Sequence, residues 1–335
     1  MIKYKYIRNT RLKVATENGE FDFSKFDVSF QVIHASISSP KIMKCRIKNL
    51  SHGGRGTTNT IGVIQSAKNK RATLEFWYNG GSPATLFDGD IRMIYAGRES
   101  PTDTYLEIEA EVFAQEWATA TLCKTIPAGW THEDACKAVV NNIPGMQLGQ
   151  IPKAQGSGAR AKTFYGNQRD HIRALSKNLS GHIVVNDDGV VDILSAQNPK
   201  KLGSVVKITP FNGMIGTPVQ VPEGIQVTAL IDPNFKVGAV IDVYSLNASD
   251  SRTAIEQEEV ELNFTGINNG NQFIDRNGNL RVKGLASNGL YSILFVDHIG
   301  ESRGESWYTT IIGQAVNPDD RGMLTSKAIS AGLPQ

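Results

Sequence analysis

Residues 290–310 read "LYSILFVDHIGESRGESWYTT", and the interpretation of the whole chain depends on whether this segment is an active site or a β-hairpin corner. Apolar and polar residues alternate on both sides of the charged centre, which is typical of two paired strands. We predict strands over 290–298 and 306–316, joined by "IGESRGE". The alternative is a metal or acid–base site of His298 with Glu301 or Glu305. Its His-x-x-Glu spacing lies on a strand end and lacks the second histidine of a zinc-protease helix.

Length and composition place the chain among ordinary globular proteins. It has 335 residues, of which 40% are hydrophobic and 20% charged, and this length suits two or three domains. A formal net charge of +2 gives no sign of a nucleic-acid-binding protein or of an acidic tail. Three cysteines, Cys45, Cys123 and Cys136, indicate a reducing compartment and no disulfide scaffold. No apolar run is long enough for a membrane span, and the basic start "MIKYKYIRNTRLKV" lacks the features of a signal peptide.

Strand periodicity dominates the first third of the chain. In "YLEIEAEVFA" (105–114), apolar residues alternate with Glu107, Glu109 and Glu111, which form an acidic stripe. In "IMKCRIK" (42–48), the outward residues form a basic stripe, namely Lys44, Arg46 and Lys48. "RATLEFWY" (71–78) alternates as well, and "LFDGDIRMIY" (86–95) is interpreted as a turn that leads into a strand. Short alternating strands between glycine-rich breakers predict an antiparallel sheet or barrel over 1–118.

The pattern changes to a small α/β unit over residues 119–205. Thr131 and Asp134 have the spacing of a capping box, so a helix is predicted over 131–143. A second helix is predicted over 167–181, with Asn167 as its cap and Gly181 at its end. "HIVVNDDGVVDIL" (182–194) then predicts a hairpin around Asp-Asp-Gly.

Strands return over 206–246 and 288–316, interrupted by a polar insertion at 247–287. The insertion carries "DRNGN", which predicts a small hairpin, and the tail at 317–335 is predicted to be either extended or ordered by a partner. The histidines are scattered, and Cys136 on a predicted helix face is interpreted as a buried thiol. The glycine clusters "SHGGRGTTN" and "QGSGARAK" lack the context of a phosphate-binding loop. We therefore predict no catalytic residue, no metal and no cofactor.

Four stretches in this order resemble the baseplate central hub proteins of contractile-tailed bacteriophages. They are "LFDGDIRMI" with "YLEIEAEV", "TFYGNQRDHIRALSKNLSGHIVVNDDGVVDIL", "MIGTPVQVPEGIQVTALIDPNFKVGAVIDV", and "GLYSILFVDHIGESRGESWYTT". The resemblance covers nearly the whole chain and implies a mainly β fold with α+β insertions. It implies two tube-like antiparallel β-barrel domains, 1–118 and 206–246 with 288–316. A small α/β domain at 119–205 and a small inserted β unit at 247–287 separate them.

The resemblance also implies a function and a set of partners. Three copies would form a pseudo-sixfold ring that adapts the sixfold tail tube to the threefold spike and surrounds part of the DNA channel. The partners would be the chain itself as a homotrimer, the tail spike protein, a tail tube or tube-initiator protein and other baseplate proteins. DNA would be only in transit through the lumen. The protein would be assembled in the host cytoplasm and reside in the virion tail, without membrane insertion.

The two charged stripes, together with Arg303 and Trp307, are the candidate interface residues. We expect the acidic stripe to face the channel or a neighbouring subunit, and a plain solvated sheet face is the alternative. For the function, the alternatives are a hub-like core component of a related contractile injection system and, third, a cell-wall-active enzyme that uses His298 and Glu301 or Glu305.

Overall fold

The hairpin predicted at the end of the chain is present in the computed structural model and lies at the centre of the fold. Its first strand, Gly289–Glu301, pairs antiparallel with Trp307–Ala315, so the prediction is confirmed. The structure describes residues 7–17, 19–35, 40–50, 60–67, 70–154, 156–194, 205–221, 224–244, 272–274, 280–282 and 289–316.

The described chain consists mainly of strands. In chain order they are β1 Arg8–Thr16, β2 Gly19–Asp22, β3 Val28–Ala35, β4 Ile42–Lys48, β5 Arg71–Tyr78, β6 Ala84–Arg98, β7 Thr104–Glu111, β8 Thr121–Ile126, β9 Gln147–Leu148, β10 Lys162–Asn167, β11 His182–Val185, β12 Val190–Leu194, β13 Val206–Ile208, β14 Met214–Val221, β15 Gly224–Ala229, β16 Val240–Val243, β17 Gln272–Ile274, β18 Leu280–Val282, β19 Gly289–Glu301 and β20 Trp307–Ala315. The helices are α1 Thr60–Ser66, α2 Ala114–Thr119, α3 His132–Val140 and α4 Gln168–Asn178, with a 3₁₀ turn at Pro210–Asn212.

Thirteen strands form one sheet that runs through both β-rich regions. Its main path is β14-β15-β20-β19-β3-β4-β7-β6-β5-β1-β2, and β13 and β16 branch from β19. The first half of β19 pairs with β16 and its second half pairs with β3. Between the two halves, at Ile293 and Phe295, the pairing of β19 with β20 shifts register. The mainly β fold class is therefore confirmed, and a single strand connects regions that are separated by more than 200 residues in sequence.

Three hydrophobic cores lie along this framework. The first packs between β1–β7 and helix α1, with Leu12, Phe76 and Ile108 among its members. The second is formed mainly by β14, β15, β16, β19 and β20 and contains Ile225, Tyr291 and Ile311. The third belongs to the α/β unit. The predicted inward residues of 105–114, namely Leu106, Ile108, Ala110 and Val112, are all buried, because strand side chains alternate between the two faces of a sheet.

The two helices and the hairpin predicted within 119–205 are present, although both helices end three residues earlier than predicted. Thr131 and Asp134 make both hydrogen bonds of a capping box at α3, and Asn167 caps α4 through the backbone N–H of Arg169. Strands β11 and β12 pair around residues 187–189. Helix α4 ends at Asn178, three residues before the predicted end at Gly181. Ser180 adopts the positive φ of 49°, and the Gly181 N–H donates to the Ser176 carbonyl.

The interpretation of "LFDGDIRMIY" as a turn and a strand was wrong. Residues 84–98 form the single strand β6, and Gly89 lies inside it. A Cβ atom at Gly89 would lie 2.8 Å from the carbonyl oxygen of Glu111, so the glycine allows the close approach of β7 rather than a chain reversal. The hairpin around "DRNGN" is confirmed by the pairing of β17 with β18. The rest of 247–287 and the tail 317–335 lie outside the described residues, and the domain boundaries remain predictions.

Candidate functional site

The polar residues of the hairpin corner do not come together as an active site. His298 is buried and lies on the core side of β19, whereas Glu301 lies three positions on, on the opposite side of the strand. Glu305 lies in the exposed turn. Because His298 is buried in the core, Glu301 lies on the other side of the strand and Glu305 lies in the exposed turn, the arrangement proposed for the enzyme alternative is not formed.

His298 belongs instead to a buried polar cluster on the core side of the sheet. Its Nδ1 lies 2.7 Å from Thr309 Oγ1 on the paired strand. Burial, followed by the nearby charges of Lys41 and His34, holds the pKa of His298 well below its ordinary value of 6.5. The imidazole is therefore a neutral hydrogen-bonding group of the core at neutral pH.

Lys41 connects this cluster to the α/β unit. Its Nζ lies 2.7 Å from Asp187 Oδ2 in the β11–β12 turn and also donates to the Leu86 carbonyl. Burial lowers the pKa of Lys41, and the Asp187 carboxylate opposes that effect. An ion pair that links two cores in this way is sensitive to the loss of either partner.

Trp307 lies in the protein core and not on an accessible surface. Its side chain is only 5% exposed, and its ring makes edge contacts with Phe30 and Phe76. The Trp307 Nε1–H donates to Tyr78 Oη at 2.9 Å, and the Tyr78 hydroxyl donates to the Ile231 carbonyl at 2.9 Å. This chain of hydrogen bonds joins β20 to β5 and to the segment after β15, so Trp307 stabilises the contact between the two β-rich regions.

The glycines of the corner make room for its neighbours. A Cβ atom at Gly300 would lie 2.3 Å from the Phe30 ring, so only glycine allows that ring to pack on β19 beside Trp307. Arg303 is exposed, and its Nη2 donates to the Lys25 carbonyl at 2.7 Å. The Ser302 hydroxyl accepts the Val28 N–H at 2.9 Å. These contacts hold the corner on the start of β3 within one chain.

The acidic and basic stripes lie side by side on adjacent strands of one chain. Strand β4 pairs with β7, which places Lys44 opposite Glu109 and Arg46 opposite Glu107. The corresponding nitrogen–oxygen distances are 3.7 Å and 2.9 Å. Lys48 lies 3.5 Å from Asp27 and Arg92 pairs with Glu111. The physical reason for expecting these stripes to need a partner subunit is therefore absent, because each charge of the stripes is paired within the chain.

The sequence interpretation missed the exposed apolar residues of this outer face, the side of the sheet that carries Glu107 and Glu109. Met93 lies opposite Glu109 and Tyr95 opposite Glu107, so both side chains point outward from β6. The Tyr95 ring lies 6.2 Å from that of Tyr105. Alternation across "RMIYAGR" was the available signal, but the turn predicted within 86–95 obscured it.

The described part of the chain holds no recognisable small-molecule site. No group of three or more histidine, cysteine, aspartate or glutamate side chains there could hold a metal ion. A cavity beside His182 and Ile293 has a volume of about 10 Å³, which is room for about one water molecule. None of the described helices combines the length and the apolar character that a membrane crossing requires.

The fold is similar to that of solved phage tail proteins and of a secretion-system component. No family model and no curated protein sequence matches the chain. The structure is similar to the 43 kDa tail protein of prophage MuSo2 from Shewanella oneidensis, with a TM-score of 0.54 and 8% identity over 91% of this chain and 98% of that one. It is similar to a tail protein from Neisseria meningitidis MC58, with a TM-score of 0.53 and 9% identity over 91% and 96% of the two chains.

A third similar structure comes from a secretion machine. The Escherichia coli c3393 protein, a component of the type VI secretion system with structural similarity to the T4 phage tail proteins gp27 and gp5, gives a TM-score of 0.53. The identity is 11%, over 87% of this chain and 74% of that one. At such identities the likeness shows the fold alone, and the chain therefore has a tail-protein type of fold.

Proposed function

We propose that the chain is a structural tail baseplate hub, of which three copies form a pseudo-sixfold ring between the sixfold tail tube and the threefold spike. The observation that carries the proposal is the shared sheet, in which β19 pairs with β16 in one β-rich region and with β3 in the other. One copy therefore presents two β modules in a single continuous wall. Three such copies present six modules, which is what an adaptor between threefold and sixfold symmetry requires.

The dimensions of the shared sheet suit a channel. Eight strands, from β14 along the main path to β6, form the wall of each copy, so three copies contribute about 24 strands. At about 4.8 Å between strands the ring measures about 115 Å around and about 40 Å across between backbones. Strand tilt widens it further, and barrels of only 16–18 strands already enclose an aqueous channel.

The side of the sheet on which the hydrophobic cores lie supports an assignment of the face that lines the proposed channel. Both hydrophobic cores of the β-rich regions lie on one side of the shared sheet, and residues of α1, β1 and β13 pack into them. Lys41 faces that side and binds Asp187 of the α/β unit. The cores and the α/β unit are too bulky to fit inside the ring, so their side of the sheet faces away from the lumen. The opposite side, which is the outer face of the single chain and carries the paired charges, then lines the lumen of the ring.

The proposed partners are a second and third copy of the chain, a tail spike, a tail tube or tube-initiator protein and other baseplate proteins, with DNA in transit. The site of action is the virion tail after assembly in the host cytoplasm. Similarity to the prophage MuSo2 tail protein and to the Neisseria meningitidis tail protein supports a structural role.

The test is the mass of the purified protein in solution, measured by light scattering over a concentration series. We expect three chain masses, and negative-stain images that show a threefold ring with a central hole. A monomer at every concentration, both alone and after co-expression with a spike protein from the same genome, would contradict the proposal.

A second candidate is a core component of a related contractile injection system, favoured by the similarity to the type VI secretion component. The two candidates differ in their cargo, because only a phage hub passes a genome. Capsid genes beside the coding sequence, and DNA inside purified particles, would support the phage hub over the injection system.

A further inference from the structure

We infer that neighbouring copies join through two exposed apolar patches at opposite ends of the shared sheet. The β6 patch consists of Met93 and Tyr95, and the β14 patch consists of Ile215 and Val219. The inference rests on the proposed ring, and it names the surfaces that would close it.

The β6 patch lies where the sheet divides. The first half of β6 pairs with β5 up to Asp90, whereas residues 93–98 pair with β7 alone within the described chain. The second half of β6 is therefore an edge of the shared sheet. Met93 is 62% exposed and Tyr95 is 59% exposed on that edge.

The β14 patch lies at the other end of the same path. Strand β14 pairs only with β15 among the described strands. Ile215 lies opposite Thr228 and Val219 opposite Gln226, and their exposed fractions are 43% and 56%. Proteins normally avoid sheet edges that carry exposed apolar side chains, unless a partner covers those edges.

Both patches lie on the same face of the sheet. On β15 the inward residues are Ile225, Val227 and Ala229, so Gln226, Thr228 and their partners on β14 point outward. On β7 the inward residues are Leu106, Ile108 and Ala110, so the partners of Glu107 and Glu109 on β6 also point outward. Side-chain alternation thus places all four patch residues on the outer face.

The surface between the patches carries polar groups that are paired within the chain, together with apolar side chains that are partly buried, such as Phe295 and Ile312. The Gln31 amide donates to both oxygens of Asp297, and Arg46 binds Glu107. The other exposed large hydrophobic residues lie outside the strands of this face, namely Ile7, Tyr165, Phe211 and Tyr244. Within the described part of the face, strongly exposed large apolar side chains are therefore confined to its two ends.

Two different patches at opposite ends of one molecule define a head-to-tail contact. Such a contact forms a ring when the rotation between copies closes, whereas a patch that docks on itself forms a dimer. Methionine, tyrosine and arginine are enriched in protein interfaces, and Tyr95 lies beside Tyr105, whose ring is covered by Arg46 at 4.3 Å. The β6 patch thus has the composition of an interface, and the aliphatic β14 patch suits the ring of Tyr95.

We expect side chains, and not a regular ladder of backbone hydrogen bonds, to form the contact between neighbouring copies. The pairing of β14 with β15 shifts register between Ile215 and Val219, and Pro218 lies within that interval. Proline has no N–H to donate, and a bulge interrupts strand pairing. We therefore expect the association to depend on the patch side chains and to be sensitive to single substitutions.

Cysteine cross-linking tests the contact in the full chain. Cys123 is exposed and is first replaced by serine, whereas Cys45 and Cys136 are buried and remain. M93C and V219C are then made singly and together in this background, and a short bis-maleimide is added. We expect linked dimers when the two single variants are co-expressed, species of up to three chains with the double variant, and no link with either single variant alone.

The outcomes separate this inference from the proposed function. A trimer that gives no link between positions 93 and 219 would overturn the inference and leave the trimeric hub intact. Strong self-linking of M93C alone would indicate a dimer-type contact and would also overturn it. A monomer would contradict the proposed function together with the inference.

A second measurement compares matched tyrosines. Tyr95→Glu places a charge in the proposed contact, and Tyr165→Glu does the same at a tyrosine of the α/β unit that is 79% exposed. We expect the first variant to weaken trimerisation at least about tenfold and the second to change it less than about twofold. Equal effects of the two variants, with melting temperatures unchanged, would contradict the inference.

Discussion

The hydrogen-bond chain from Trp307 through Tyr78 to the Ile231 carbonyl leads to a double-mutant cycle with a defined expected result. Tyr78→Phe removes one hydroxyl that serves two partners, because it accepts from Trp307 Nε1 and donates to Ile231, both at 2.9 Å. Each buried partner left without its hydrogen bond costs about 1–1.5 kcal/mol, so the expected loss in the free energy of unfolding is about 2–3 kcal/mol.

The second arm of the cycle is Trp307→Phe, which keeps an aromatic ring beside Phe30 and Phe76 but removes the N–H. The lost hydrogen bond and the smaller ring together cost about 2 kcal/mol. The Trp307–Tyr78 hydrogen bond is lost in both single variants and is counted once in the double variant. The double variant is therefore expected to be more stable than the sum of the two losses by about 1 kcal/mol.

The assay is chemical unfolding followed by near-ultraviolet circular dichroism, which reports the packing of buried aromatic rings. Tyr165→Phe is the matched control, because that tyrosine is exposed and its loss is expected to change stability by less than about 0.5 kcal/mol. Strict additivity of the Tyr78 and Trp307 variants would refute the reasoning. It would mean that the indole N–H contributes nothing through Tyr78.

Three further predictions concern the sheet and its corner. His298 binds a proton near its ordinary pKa of 6.5 in the unfolded chain, whereas burial lowers its pKa in the folded chain. The free energy of unfolding should therefore be at its full value above pH 6.5 and fall below that pH by up to about 1.4 kcal/mol per pH unit. Denaturation midpoints from pH 7.5 to 5 should show this slope, His298→Asn should flatten it, and the exposed His182→Gln should keep it. Gly300→Ala forces a Cβ atom against the Phe30 ring and should cost about 1–3 kcal/mol in thermal unfolding, with partial recovery in a Phe30→Leu background; full stability of the single variant would contradict the packing. Arg46→Glu should destabilise by up to about 1 kcal/mol, and adding Glu107→Lys should restore stability, whereas no restoration would mean that the pair does not form within one chain.

Local patterns in the sequence predicted the elements well because their causes are local. Alternation predicted the burial of Leu106, Ile108 and Ala110, and the spacing of Thr131 and Asp134 predicted the start of α3. Each of these features depends on residues within one strand or one helical turn. The prediction of a turn within 86–95 was wrong because a glycine between two aspartates is typical of turns, whereas the actual role of Gly89 depends on the backbone of β7.

Strand neighbours could not be predicted in the same way. Gln31 and Asp297 are 266 positions apart and hydrogen-bond across the pairing of β3 with β19, which no periodicity reveals. The same limitation explains the expectation about the charged stripes. Each stripe taken alone looks like a surface that needs a complement, and only the order of strands shows that the complement is the adjacent strand of the same chain.

The in-chain pairing changes the electrostatic argument for a channel without removing it. An acidic stripe alone would repel DNA phosphates, and a basic stripe alone would hold them in proportion to the counterions released. On the outer face Lys44, Arg46, Lys48 and Arg92 are balanced by Glu109, Glu107, Asp27 and Glu111. A lumen lined by such pairs presents alternating charges at short range and little net field beyond about 10 Å at 0.1 M salt. A wall of this kind neither retains nor excludes a polyanion, which is the property that a conduit for DNA in transit requires.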